Sequence, residues 1–256
     1  MYPNPLRARL QAGETVLGTS LPVPQPIVVG MILQTKPDFL WIDTEHAPYA
    51  TESLGATPVQ TRQAGVAPMV RVAWNDPALI KKAYDAGAVA VMVPQVDTAE
   101  EAEDVVRFAK YPPMGERGLS PMWTRIAGED WDHVLQTAND ETAVIVQIES
   151  LKAYDNLDEI KQVPGIDVLF LGPLDMSASV GKIGDTGCEE VQSLMQEFPG
   201  RLEGTGICPG TTLVELDDIK EKLDWGYRFM NVGNALSYGV GVVQSNLDEL
   251  RRHTTS

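Results

Sequence analysis

A regular beat constrains this chain most. Eight short apolar runs rich in β-formers recur along it: Val16–Leu21, Phe39–Asp43, Ala67–Val72, Ala88–Val96, Ala143–Glu149, Val168–Gly172, Gly204–Cys208 and Phe229–Gly233. Most are continuously apolar rather than alternating, as expected for strands buried on both faces of a parallel sheet. Helical patterns fall between them. Asp76 to Ala86 opens with an Asp-Pro cap, Asp97 to Ala109 carries alanines and valines at helical spacing, and Leu151 to Val163 and Thr212 to Trp225 behave alike. Gly65, Gly87, Gly165 and Gly226 stand where several helices should end before the next strand.

Eight strand–helix units in 256 residues predict a single-domain (β/α)8 TIM barrel of the α/β class, spanning residues 1–256. A doubly wound open sheet is the alternative, but no glycine-rich dinucleotide fingerprint follows the first run. Two intervals exceed the rest, Ala88 to Ala143 and Val168 to Gly204. The first holds the Pro- and Gly-rich stretch from Tyr111 to Gly128, which reads as a functional excursion.

Charge narrows the partners. Asp plus Glu outnumber Lys plus Arg by 36 to 20, a formal net charge of −16. Such a surface repels phosphate backbones and anionic membranes, so neither nucleic acid nor membrane is an expected partner. An anionic substrate would need a locally positive site. Two cysteines, Cys188 and Cys208, cannot build a disulfide framework, and together with the lack of an apolar leader they point to a reduced, cytoplasmic setting.

In a (β/α)8 barrel the chemistry gathers at the C-terminal ends of the strands. Those ends supply Asp43, Glu45 and His46, then Arg71, Gln95, Gln147, Glu149, Gly172-Pro173-Leu174-Asp175, and finally Asn231 and Asn234. One or two polar residues would appear simply where strands leave the core; a converging set of acids, an arginine, a histidine and glutamines asks for more. Glu149 and Asp175 close consecutive strands. Two carboxylates at close range repel unless a cation lies between them, and hard oxygen ligands with room for water suit Mg2+ or Mn2+. The alternative is a hydrogen-bonded pair without metal. Arg71 offers a planar fork for a carboxylate, or else pairs with a nearby acid. Asp43 and His46 read as a carboxylate–imidazole dyad for proton handling. No lysine falls at an expected strand end, which disfavours a Schiff-base aldolase. Cys208, placed at the end of the seventh run, has no histidine to activate it and reads as a small buried residue.

These residues resemble a family. Trp41-Ile42-Asp43-Thr44-Glu45-His46-Ala47-Pro48 is similar to the signature of metal-dependent (class II) pyruvate aldolases of the 4-hydroxy-2-oxoheptanedioate and 2-keto-3-deoxy sugar acid type, within the phosphoenolpyruvate/pyruvate barrel superfamily. Val70-Arg71-Val72, Trp74-Asn75-Asp76-Pro77, Val93-Pro94-Gln95-Val96, Tyr111-Pro112-Pro113 with Arg117-Gly118, Gln147-Ile148-Glu149 and Gly172 through Ser177 resemble further blocks in the family's order. The resemblance implies a carbon–carbon lyase that forms or cleaves 4-hydroxy-2-oxo acids through a pyruvate enolate. It implies Glu149 and Asp175 as ligands of Mg2+, Mn2+ or Co2+, and Arg71, Gln147, Gly172, Pro173, Leu174 and Glu45 around pyruvate. It implies His46 with Asp43 for proton transfer, pyruvate or oxaloacetate plus an aldehyde as substrates, and a homo-oligomer, a hexamer built from dimers. Thr44 and Leu174 depart from the usual glycine and alanine. Ser20 stands near the position where bacterial members carry a tryptophan, so the aldehyde wall differs. Oxaloacetate decarboxylation, related enolate-forming C–C bond synthesis, and a silent keto-acid-binding barrel are the alternatives.

Overall fold

The computed structural model describes residues 5–255. Its eight strands are β1 (Val16–Leu21), β2 (Phe39–Asp43), β3 (Ala67–Arg71), β4 (Ala90–Val93), β5 (Ala143–Ile148), β6 (Val168–Leu171), β7 (Cys208–Thr212) and β8 (Phe229–Asn234). They pair in chain order, all parallel, and β8 closes on β1. The expected (β/α)8 barrel is therefore present.

The two-residue period of a strand sorts each run into two cores. Leu40, Ile42, Val70, Val91, Val146 and Leu169 face outward and pack under the helices. Phe39, Trp41, Met69, Met92, Phe170 and Phe229 fill the barrel interior. The Phe39 and Phe229 rings stack with centroids 4.2 Å apart, and Trp41 meets Phe170 edge-on at 5.4 Å. These rings need space on neighbouring strands. A Cβ at Gly18 would lie 2.3 Å from the Phe39 ring, and one at Gly210 would lie 2.9 Å from Phe170. The same period carries Ser20, Arg71, Gln147, Thr212 and Asn231 to the inner face at the mouth.

Several expectations need correcting. The seventh strand runs four residues later than the apolar run suggested, so Cys208 opens β7 at the closed end of the barrel instead of ending it at the mouth. Gly204 and Gly206 both take positive φ (78°) and form the turn before it. Pro209 looks like a breaker but costs the ladder nothing. Its carbonyl accepts from Arg228, so its nitrogen faces Gly226, before β8 begins. The helix expected from Thr212 consequently starts only at Leu216. The segment from Leu151 divides at Asn156 into two short helices, Leu151–Asp155 and Leu157–Ile160, with the Asn156 amide donating to the Asp97 carbonyl. The helix expected from Asp97 is capped one residue later, by a Thr98–Glu101 capping box.

The excursion from Tyr111 to Gly128 stays away from the mouth. Trp123 packs with Val59 and Val134, and the Arg62 guanidinium lies 3.8 Å over its ring while donating to the Gly87 and Ala88 carbonyls beside the start of β4. Trp123 thus anchors the stretch by packing, while Met114, Leu119, Met122 and Ile126 of the same stretch stay exposed. The last helix, Ala235–Thr255, does not lie down on the barrel. Leu236, Val240, Val243 and Leu250 are all more than half exposed, and Leu17, on the outer face of β1, is 41% exposed.

Candidate active site

The converging groups border a cavity of about 370 Å³ at the C-terminal mouth, lined among others by Asp43, His46, Arg71, Gln147, Gly172 and Asp175. A cleft of about 440 Å³ lies at the opposite end, around Leu10, Cys208, Trp225 and Arg228. It holds one acid, Glu203, and none of the groups above, so the mouth is the candidate site.

Arg71 ends β3 and is 9% exposed. Its fork grips Asp43 through two bonds, Nε to Oδ1 at 3.0 Å and Nη2 to Oδ2 at 2.8 Å. Its Nη1 lies 3.0 Å from Glu45 Oε2 and donates to Gln147 Oε1 at 3.5 Å. The guanidinium rests 4.8 Å above the Trp41 ring. Burial opposes the charge on Asp43, and Arg71 outweighs it, holding that carboxyl below the usual range. Glu45 goes the other way. Burial pushes it up to about 7; Arg71 pulls it down, while Asp43 and Asp175 push it further up.

The expected Asp43–His46 dyad forms differently. Asp43 is taken by Arg71 and by the backbone N–H of Glu45. The exposed imidazole of His46 instead lies with Nε2 3.7 Å from Glu45 Oε2. Asp43 binds the first turn of its own loop, which leaves Glu45 as the carboxylate beside the ring.

Glu149 follows β5 and is 6% exposed. Its Oε1 accepts from the Gln95 backbone N–H at 2.7 Å and its Oε2 from the Gln147 amide at 2.7 Å. Gln95 was read as a side-chain candidate at its strand end, but here it contributes its backbone, held at φ 53°. Burial pushes Glu149 up to about 7; the Gln95 bond lowers it, and Asp175 and Glu45 raise it. Asp175 projects from the first turn of the helix Pro173–Ser179, which Gly172 caps. A Cβ at Gly172 would stand 3.0 Å from Glu149 Oε2, so the backbone closes directly over that carboxylate. Pro173 is buried in the same turn and Leu174 is 61% exposed at its rim.

Four acids, Asp43, Glu45, Glu149 and Asp175, thus gather at a mouth with one arginine, which pairs with Asp43 and Glu45. No group of three or more His, Cys, Asp or Glu side chains is arranged to hold a metal among the described residues. A divalent cation on Glu149 and Asp175 would draw its other oxygens from water and substrate, which is the habit of Mg2+ and Mn2+. The buried, acid-flanked Glu149 fits such an ion. Burial first, and then Asp175 and Glu45, disfavour its charge, and a cation beside it would offset both.

Sequence reasoning overlooked Thr212, which ends β7 and lines the cavity. The register of β7 hid it; its only local signal was the Thr-Thr pair after Cys-Pro-Gly. Trp41 and Phe170 line the same cavity and went unread as site residues because they sit inside apolar runs.

Comparisons with known proteins identify the family. Residues 18–238 match the HpcH/HpaI aldolase/citrate lyase family. The chain is 34% identical over 231 residues to a hydroxypyruvate/pyruvate aldolase of Roseovarius nubinhibens, covering 90% of each. It is 36% identical over 233 residues to a 2-keto-3-deoxy-L-rhamnonate aldolase of Escherichia coli, covering 90% of this chain and 86% of that one. Among solved structures it resembles an HpcH/HpaI aldolase/citrate lyase family protein from Burkholderia cenocepacia, with a TM-score of 0.89, 32% identity, and coverage of 97% and 99%. It also resembles macrophomate synthase, with a TM-score of 0.87, 26% identity, and coverage of 100% and 92%. The chain belongs to the HpcH/HpaI aldolase/citrate lyase family.

Proposed function

We propose that this carbon–carbon lyase is a pyruvate aldolase that forms or cleaves 4-hydroxy-2-oxo acids with the help of a divalent cation held by Glu149 and Asp175. The observation that carries the reading is the linked chain Glu149–Gln147–Arg71, buried at the mouth with four acids around a single arginine. The cation, Mg2+, Mn2+ or Co2+, would supply Lewis-acid withdrawal from the keto oxygen of pyruvate.

The chain's own groups do the rest. Gln147 orients the Glu149 carboxylate by one end of its amide and meets Arg71 with the other. Arg71, fixed by Asp43 and Glu45, is the positive charge nearest the reacting oxygens and favours charge developing there. The backbone of Gly172, Pro173 and Leu174 borders the place for the pyruvate carboxylate. His46, exposed at the rim beside Glu45, is set to give or take the proton of the aldehyde oxygen, directly or through water.

Deuterium exchange into the methyl group of pyruvate tests this. Exchange should require Mg2+ or Mn2+ and vanish in Glu149→Gln. Exchange that persists after chelation would overturn the metal role. Oxaloacetate decarboxylation would draw on the same groups, and carbon dioxide release assayed beside aldol cleavage separates the two. A silent keto-acid-binding barrel would show no exchange with any metal.

The upright helix Ala235–Thr255, with its apolar side chains in solvent, and the uncovered Leu17 support a homo-oligomer, a hexamer built from dimers, in which a second copy covers them. No helix among the described residues is long and apolar enough to cross a membrane. Two free cysteines support a reducing, cytoplasmic setting.

A further inference from the structure

The cleft at the closed end of the barrel takes no part in chemistry at the mouth. Its volume of about 440 Å³ lies within the range of small-ligand pockets. Leu10, Pro199, Leu202, Ile207 and Trp225 give it apolar walls, and Arg228 is the one Lys or Arg that lines it. Burial raises the Cys208 thiol in the same wall and Arg228 pulls the other way, so the guanidinium acts on that wall.

Arg228 is half-buried just before β8. Its Nη1 donates to the Leu223 and Tyr227 carbonyls, both at 2.8 Å, around the end of the helix Leu216–Trp225. Those bonds pin the guanidinium by one corner. The other edge, Nε with Nη2, has no hydrogen-bond or ion-pair partner among the described residues. That edge is the two-pronged side of an arginine and fits both oxygens of a carboxylate. Arg71 shows the fit within this same chain, where Nε and Nη2 hold the two oxygens of Asp43. In a protein of net charge −16, a pinned fork without an acid points to an anion from outside the chain. Glu203, the one acid lining the cleft, is exposed and makes no ion pair with Arg228 among the described residues. One cation beside one acid limits that anion to a single charge, because a second would face Glu203 without a counter-ion. The apolar walls suit a hydrocarbon or aryl body.

We infer that the closed-end cleft is a second binding site, for a small monocarboxylate with an apolar body. Its two oxygens lie on Nε and Nη2 of Arg228, and its body lies against Trp225, Ile207 and Leu10. The site stands independently of the aldolase reading, since it shares no residue with the mouth.

The test titrates 3-phenylpropionate into the full chain by calorimetry, with and without Mn2+. Two relatives of the probe are the controls. 3-Phenylpropanamide keeps the body and loses the charge, and phenylsuccinate adds a second carboxylate. 3-Phenylpropionate should bind once per chain, about tenfold or more tighter than either control, and equally well with and without Mn2+. Arg228→Lys keeps the charge and loses the fork, and should weaken binding about tenfold. Arg228→Gln should remove the preference for acid over amide, while Arg71→Lys should leave it unchanged. If Arg228→Gln fails to fold for want of its bonds to Leu223 and Tyr227, the acid–amide comparison in the wild type and the Arg228→Lys variant decide the matter. Failure of the acid to bind, equal binding of acid and amide, or phenylsuccinate binding as tightly as the monoacid would overturn the site. So would affinity unchanged in Arg228→Lys, and binding that needs Mn2+ or is lost in Arg71→Lys would place the probe at the mouth instead. None of these results bears on the aldolase reading, which deuterium exchange into pyruvate tests separately.

Discussion

Replacing Gly172 with alanine probes the proposed metal centre without removing either proposed ligand. Its backbone, φ −90° and ψ 99°, suits alanine, so the added methyl acts only through space. That Cβ would lie 3.0 Å from Glu149 Oε2, 3.1 Å from Glu149 Cβ and 3.4 Å from Gln147 Nε2. Comfortable contact needs about 3.5 Å, so the carboxylate must retreat by about 0.5 Å. Metal–ligand distances tolerate only about 0.2 Å. Disturbing the groups that orient a ligand costs about 10–100-fold in metal affinity, and that loss is expected for Gly172→Ala. Overpacking of this kind costs about 1–3 kcal/mol. In a chain of this size each kcal/mol lowers Tm by about 2–4 °C. Calorimetric titration with Mn2+ and a thermal melt of the metal-free protein read the two effects separately. Gly200→Ala is the control. It sits in the helix Glu189–Arg201 with nothing within 4 Å of the new methyl, and should leave metal affinity alone while holding or slightly raising Tm. If Gly172→Ala binds Mn2+ as tightly as wild type while its Tm falls, the closeness of that backbone to Glu149 has no bearing on metal binding and the reasoning fails.

Three further outcomes follow from the same geometry. Arg71→Lys keeps the charge but loses the two-bond grip on Asp43, and kcat/KM for aldol cleavage should fall by about 10²-fold with far-UV circular dichroism unchanged. Glu149 and Glu45 both titrate near pH 7 in the folded protein, above their ordinary 4.5, so the fold holds extra protons between those values. The metal-free protein should therefore lose stability as pH rises from about 4.5 to 7, and Mn2+ binding should tighten and release protons over the same window, which melts and titrations in two buffers check. Burial pushes the Cys208 thiol up to about 12, so iodoacetamide should leave it unmodified at pH 8 until denaturant is added; modification of the native protein would contradict its placement at the closed end.

Much of the site was legible in the residues. Arg71, Gln147, Glu149 and Asp175 each follow a run of apolar β-formers, and a polar residue just past such a run must leave a parallel barrel at its mouth. Other parts were not. His46 lies in the loop after β2, where no period dictates direction, and the partners changed because Arg71 from the next strand captures Asp43. Thr212 was hidden because Cys-Pro-Gly reads locally as a turn, while pairing with β6 and β8 makes it strand.

The sequence by itself determined the barrel, its strand order and the acids that surround one arginine, because period and apolar run length are local properties that burial on two faces enforces. Only the tertiary structure decided which carboxylate meets which cation, where β7 starts, and that Ser20, Asn231 and Thr212 form one hydrogen-bonded network. Those depend on register between strands distant in the chain, in which Gly18 meets the Phe39 ring and Gly210 the Phe170 ring, and no single segment encodes that pairing.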